Sequence, residues 1–295
     1  MSTDEYSETG PRIVRGRGKA QKSLDLIEAA RSFLADAHPT TVRGVCYRLF
    51  VDGIIASMAK NETARVSRLL TAAREDGTIP WEWIVDETRE VECVSSWRDP
   101  REFVETVRRA YRRDFWAQQP ARVEVWSEKG TVRGVLRPVL DEYGVPFRVM
   151  HGFGSATALY DVAQQGHADQ PVTALYVGDW DPSGLYMSEV DLPDRLERYG
   201  GEHVEIVRIA LAGPDLPSLP SFPADQKRGD SRYRWFLSNY GSECYELDAL
   251  HPADLRNRVE HSIIARIEPM AWHRCVRAQE AEQESLEHLL DRWTA

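Results

Sequence analysis

From Val123 onward, short apolar runs alternate with helical spacing, and this alternation constrains the fold more than any other feature of the sequence. Val123-Glu124-Val125-Trp126 reads as a strand, with a helix expected from about Gly130 to Tyr143. Phe147 to Met150 reads as a second strand followed by a helix over Ala156 to Gln164. Val172 to Val177 is a third strand, with Pro182 opening the next helix, and Val204 to Ile209 a fourth. Strands alternating with helices form a parallel sheet covered on both faces. Ligands of such sheets bind beyond the carboxyl ends of the strands. Two strands deliver acids to that edge. The first runs into Ser127-Glu128-Lys129-Gly130, the third into Gly178-Asp179-Trp180-Asp181-Pro182-Ser183-Gly184. Three carboxylates on one edge repel one another unless a hard cation neutralises them, and Mg²⁺ takes oxygen ligands alongside substrate phosphates. Glu128, Asp179 and Asp181 are therefore the candidate metal ligands. Asp181 before Pro182 also suits a helix N-cap, and one residue can serve both purposes.

The chain before Pro120 has a different pattern. Residues 1–19 are expected to be a flexible basic arm, since Arg12, Arg15, Arg17, Lys19 and then Lys22 follow one another without an intervening acid. Over 20–98, helical spacing runs from Ser23 to Ala37. Thr40 or Thr41 caps a second helix to about Phe50, and Asn61 caps a third that ends at Gly77. Ile79 to Val94 is rich in Trp, Ile and Val and reads as a β-wing. Three short helices and a wing make a winged-helix DNA-binding domain, although three-helix units also serve as plain packing domains. Residues 99–120 form a linking helix opened by Asp99-Pro100 and running to about Gln118. Residues 121–295 form the sheet domain, with a long surface loop over 212–231 and helices from about Pro252 to the end.

The 295 residues fit about two domains. No run approaches the ~18 apolar residues of a membrane span, the segment Met1 to Lys22 is charged, and Cys46, Cys93, Cys244 and Cys275 form no Cys-x-x-Cys pair. A cytoplasmic, nucleoid-associated protein with no membrane partner is expected. The eight histidines show no metal-ligand spacing. The net charge of −10 hides a split: residues 1–120 hold 19 basic and 19 acidic side chains, residues 121–295 hold 18 and 28. Arg108, Arg109, Arg112 and Arg113, with Lys129, are candidate phosphate contacts; a solvated helix face is the alternative for the arginines. Lys227, Arg228, Arg232 and Arg234, around the long loop, either contact a DNA backbone or solvate the loop.

A Glu after the first strand and Asp-x-Asp after the third resemble the Toprim domain shared by topoisomerases, primases and related nucleases. Asp179-Trp180-Asp181-Pro182-Ser183-Gly184 looks like the Asp-x-Asp-Pro-x-Gly form of the topoisomerase VI A subunit and its meiotic relative Spo11. In that family a winged helix precedes Toprim, and the nucleophile is a Tyr in an Arg-x-x-aromatic-Tyr pattern. The corresponding stretch is Arg43-Gly44-Val45-Cys46-Tyr47, with Cys46 where the family has an aromatic residue. The resemblance covers roughly residues 20–270. It implies Mg²⁺-dependent cleavage of double-stranded DNA through a tyrosyl-phosphate, with Tyr47 and Arg43 catalytic. It also implies a homodimer that joins the Tyr of one subunit to the acids of the other. The chain carries no ATPase module, so strand passage would need a separate ATPase subunit. Tyr245 to Leu250 is similar to a stretch near the end of Toprim domains, where Glu246 is either a strand-edge residue or an outer acid of the metal site.

The residues make a case of their own for Tyr47. Arg43 and Tyr47 are four apart and share a helix face, so a phosphate held by the guanidinium would lie near the phenol. With a pKa of ~10, that phenol needs a nearby cation or base to react. Three other readings stand beside this one. The first is a nuclease whose metal activates water, with Tyr47 structural; the second is a non-catalytic DNA-binding protein. The third is a dinucleotide enzyme suggested by His151-Gly152-Phe153-Gly154-Ser155-Ala156-Thr157, which lacks the third glycine and leaves Glu128 and Asp181 unexplained.

Overall fold

The computed structural model describes residues 21–85, 95–150, 156–165 and 170–293. The basic arm, residues 86–94 of the expected wing and the glycine turn at 151–155 lie outside the described residues.

Three helices, α1 (Gln21–Ala37), α2 (Val42–Val51) and α3 (Lys60–Glu75), close around Leu26, Leu34, Leu49, Val66, Leu70 and Ile79. Thr41 caps α2, its hydroxyl accepting from Gly44 N at 3.0 Å. Asn61 does not cap α3. The helix begins one residue earlier, at Lys60, with Ala59 in the cap position and no side-chain bond there. Gly77, at φ +79°, takes the left-handed turn that ends α3. In place of the first wing strand, Trp81–Trp83 forms a 3-10 turn, and one parallel bridge joins Thr40 to Ile84. Ile79 and Ile84 are buried against the helices and Trp83 stacks on His38 at 4.9 Å, which draws this segment onto the module.

Helix α4 (Pro100–Ala110) opens on an Asp99 cap as expected, but it is not continuous to Gln118. It stops at Ala110 and a separate 3-10 turn spans Phe115–Gln118. The break carries Trp116 into the sheet domain, where its indole donates to Tyr143 O at 2.9 Å, while Asp114 caps the turn at Trp116 N.

The sheet is four-stranded and wholly parallel, in the order β2-β1-β3-β4. The chain runs β1 (Arg122–Ser127), α5 (Val132–Tyr143), β2 (Phe147–Val149), α6 (Ala156–Gln165) and β3 (Val172–Val177). It continues through α7 (Pro182–Tyr186), a π turn at Met187–Asp191, α8 (Leu192–Arg198) and β4 (Val204–Ala210). Side chains of a strand alternate between faces, and β3 shows the result. Leu175 and Val177 join a core with α5 and the later helix α10, whereas Val172, Ala174 and Tyr176 join one with α6 and α8. All six β3 residues are buried. The connection from β1 leads to β2 on one side and that from β3 to β4 on the other, so the topological switch lies between β1 and β3.

The 212–231 segment is not an open loop. It holds two 3-10 turns and β5 (Phe222–Pro223), which after α9 (Tyr233–Tyr240) pairs antiparallel with β6 (Glu243–Cys244). Asp215 anchors it by accepting both guanidinium nitrogens of Arg258, each at 2.6 Å. Helix α10 (Pro252–Ile264) covers one sheet face, and α11 (Pro269–Trp293) returns to pack on α4.

Candidate active site

At the switch between β1 and β3 the acids gather. Asp179 is 6% exposed; its Oδ1 accepts from Leu247 N at 2.7 Å and lies 2.7 Å from Lys129 Nζ. Asp181, 3% exposed, caps α7 by accepting from Gly184 N at 2.7 Å, and its Oδ2 lies 3.1 Å from Lys227 Nζ. The turn between them is so tight that a Cβ on residue 184 would fall 2.5 Å from Asp179 O, which only glycine avoids. Burial, together with the Asp179 and Asp181 carboxylates, pushes Glu128 up to about 7. Burial also raises Asp179, against the pull of Lys129.

Two further acids complete the cluster. Lys129 Nζ lies 3.0 Å from Glu246 Oε2 and 3.0 Å from Asp248 Oδ2, so one ammonium serves Asp179, Glu246 and Asp248. Burial would lower Lys129, but these three acids hold it well above the usual lysine range. Burial would likewise raise Glu246, yet Lys129 and Arg43 keep it below the ordinary value. Glu246 follows Tyr245, which pairs with Trp180 in a β-bridge, so it stands at a strand edge and beside Lys129 at once. Asp248 escaped notice in the sequence, although Glu246-Leu247-Asp248 repeats the acid-x-acid spacing of Asp179-Trp180-Asp181.

Helix α2 supplies the other wall. Arg43 reaches Glu246 Oε1 at 3.0 Å and Asp248 Oδ2 at 3.2 Å, and its guanidinium carbon sits 5.4 Å from the centre of the Tyr47 ring. Arg43 and Tyr47 thus share a face, as their spacing predicts. Tyr47 is 7% exposed; burial and Glu246 push its phenol above the usual value, while Arg43 and Lys129 pull it down. From the Tyr47 ring, contacts run through Arg43, Glu246 and Lys129 to Asp179 within one chain. Cys46 points away into the three-helix core, where burial raises its thiol to about 11.

Beneath the acid turn lies Arg208, on β4. It donates to Gly178 O at 3.0 Å, to Gly184 O at 3.1 Å, to Ser188 Oγ at 2.7 Å, to Leu211 O at 2.8 Å and to Asp179 O. These bonds fix the backbone that presents both aspartates. The buried hydroxyl of Tyr176, beside Arg208, has no hydrogen-bond partner among the described residues.

The proposed phosphate contacts stand elsewhere. Arg108 reaches Glu287 of α11 at 3.0 Å, Arg113 pairs with Glu282, Arg112 donates to Asp141 O and Arg109 to Glu105 O at 3.2 Å. These arginines engage the protein's own acids and carbonyls. Lys129 lies among the acids, while Lys227, from the loop, reaches Asp181.

Among the described residues, no three Asp, Glu, His or Cys side chains enclose a common metal position; ammonium and guanidinium groups stand between the acids. Glu128, Asp179 and Asp181 nevertheless offer carboxylate oxygens, the donors a hard cation takes, and both aspartates act on Glu128 from nearby. No protein-family profile matches the sequence, and no curated protein or solved structure is significantly similar to it.

Proposed function

We propose that the chain cleaves double-stranded DNA in a Mg²⁺-dependent reaction, with Tyr47 as nucleophile and a tyrosyl-phosphate intermediate, in the manner of the winged-helix and Toprim family it resembles. The observation that carries this reading is the chain of ion pairs linking Asp179, Lys129, Glu246 and Arg43 beside Tyr47, with Glu128 near enough to Asp179 and Asp181 to feel both carboxylates. Mg²⁺ held by the three acids would supply Lewis-acid polarisation of the scissile phosphate. Arg43 is the planar donor suited to orienting that phosphate. Lys129 and Arg43 favour the phenolate against the burial that opposes it. As Tyr47 Oη bonds to phosphorus, the P–O bond to deoxyribose breaks. The phenol gives up one proton and the departing oxygen takes one. Bridging of two chains as a homodimer, and a separate ATPase subunit for any strand passage, belong to this same proposal.

A second reading has an observation in its favour. Tyr47 is nearly buried, and that burial together with Glu246 raises its phenol, which opposes the phenolate a tyrosyl route needs. In that reading the acids serve a hydrolytic nuclease and Tyr47 packs the interface. Incubation of supercoiled DNA with the chain and Mg²⁺, followed by a denaturing gel, separates the two. A covalent adduct lost in Tyr47→Phe supports the tyrosyl route; cleavage that survives in Tyr47→Phe supports hydrolysis. Undiminished cleavage by Asp179→Ala would remove both.

A further inference from the structure

Beside the charge cluster, a cleft of about 450 Å³ opens between the α2–α3 turn and the segment around β5. That volume falls within the ~300–1,000 Å³ of small-molecule sites and exceeds what a phosphate alone occupies. Its lining is mixed. Arg43, Lys227, Tyr47 and Glu246 line it together with the apolar Phe50, Met58, Pro220 and Phe222, and Gln226 adds an amide. Lys227 Nζ lies over the Phe222 ring, 6.0 Å from its centre, so a base would stack on the opposite face of that ring. The walls come from separate elements, helix α2 with the turn after it and the segment around β5.

We propose that this cleft binds one unstacked deoxynucleotide unit, with its phosphate toward Arg43 and Lys227 and its base against Phe222, Phe50 and Met58. A base inside an intact duplex has both faces covered by its neighbours and cannot enter, so the chain would prefer DNA with a base already unpaired. An aromatic wall accepts any base face, and stacking on one is the sequence-tolerant way to hold single-stranded nucleic acid. The Gln226 amide offers both a donor and an acceptor to a base edge. Arg43 and Lys227 already pair with Glu246, Asp248 and Asp181, so a nucleotide phosphate would share them with these carboxylates, and a bare phosphate would leave the apolar wall unused. This inference names the substrate form for the cleavage reading above and rests on it.

The test is binding in EDTA, so that no cleavage is required. Fluorescence anisotropy compares a fully paired duplex with the same duplex carrying one unpaired 2-aminopurine. The bulged duplex is expected to bind about 10-fold more tightly, with a change in 2-aminopurine emission. Phe222→Leu keeps the apolar volume and removes the ring face, and should bring the ratio close to one. Ala56→Trp fills the cleft from an exposed position and should do the same, which keeps the test valid where Phe222→Leu fails to fold. Free deoxyadenosine monophosphate should compete for the bulged duplex where inorganic phosphate at equal concentration does not. A ratio near one for the unmodified chain, a ratio untouched by Ala56→Trp, or competition by phosphate alone would overturn the proposal. Bulge preference without any cleavage in Mg²⁺ retires the cleavage reading alone; cleavage with no bulge preference retires the cleft alone.

Discussion

Lys129 Nζ rests 2.7 Å from Asp179 Oδ1, so a protein ammonium holds the carboxylate that the third strand delivers to the sheet edge. The same nitrogen reaches Glu246 and Asp248. A lysine that neutralises three acids stabilises the resting site and also competes with any divalent cation for Asp179.

Lys129→Met should therefore have opposite effects without and with Mg²⁺. In EDTA, removing one partner of a buried ion cluster leaves uncompensated carboxylates and costs about 3–5 kcal/mol. Adding Mg²⁺ should recover more stability in the variant than in the unmodified chain, because the cation no longer displaces an ammonium. Thermal unfolding of both proteins with and without Mg²⁺ measures this. An equal Mg²⁺ shift in the two would show that Lys129 and the cation do not share ligands.

Glu128 gives the site a pH dependence. Burial, with Asp179 and Asp181, pushes its carboxyl up from 4.5 to about 7 in the folded chain. Between those values the folded state holds a proton that the unfolded state has lost, so this group's contribution to stability falls as pH rises from 4.5 to about 7. The slope is roughly 1.4 kcal/mol per pH unit, and it vanishes above pH ~7. Glu128→Gln should flatten it. Mg²⁺ requires the ionised form, so its affinity should weaken with each pH unit below 7, with proton release on binding. Calorimetric titration in buffers of different ionisation enthalpy reads that proton directly.

Arg43 joins the helical module to the sheet domain through Glu246 and Asp248, yet is itself about half exposed. Solvent screens such a pair, and Glu246 and Asp248 retain Lys129, so Arg43→Ala should cost no more than about 1 kcal/mol in urea unfolding. Cleavage should fall far more, by about 100-fold or greater, if the guanidinium positions the phosphate. Arg43→Lys keeps the charge but loses the planar fork, and its rate should lie between the two. A large stability loss with proportionate loss of cleavage would make Arg43 a structural bridge only.

The parallel sheet was legible because each strand is a short apolar run bounded by Gly or Pro, and β3 is bounded as expected at Val172–Val177. Glu128, Asp179 and Asp181 were legible because each directly follows or lies just beyond a strand end. Asp248 and the loop Lys227 were not, because their roles depend on contacts over long sequence separations. The helix at 99–120 was misread because nothing local marks a break at Ala110: Trp116 leaves the helix line to reach Tyr143, a tertiary demand. Arg108 and Arg113 looked free because their partners, Glu287 and Glu282, lie 179 and 169 residues away. Helical spacing of charge identifies a face but not what covers it.

Mixing experiments locate the nucleophile. Tyr47→Phe removes one oxygen and keeps the ring in place, so its stability should be nearly unchanged while adduct formation stops. Asp179→Ala retains the phenol but loses both the cation ligand and the acceptor for Leu247 N, costing about 1–3 kcal/mol. Each variant alone should be inactive. The resemblance implies that Tyr47 of one subunit serves the acids of its partner, and mixed dimers would then regain one composite site and nick DNA without making a double-strand break. Within one chain the side chains of Arg43, Glu246 and Lys129 stand between the Tyr47 ring and Asp179. A mixture in which subunit exchange is demonstrated should therefore regain nicking. A mixture that stays inactive would mean that the tyrosine acts in cis or not at all, which favours the hydrolytic reading.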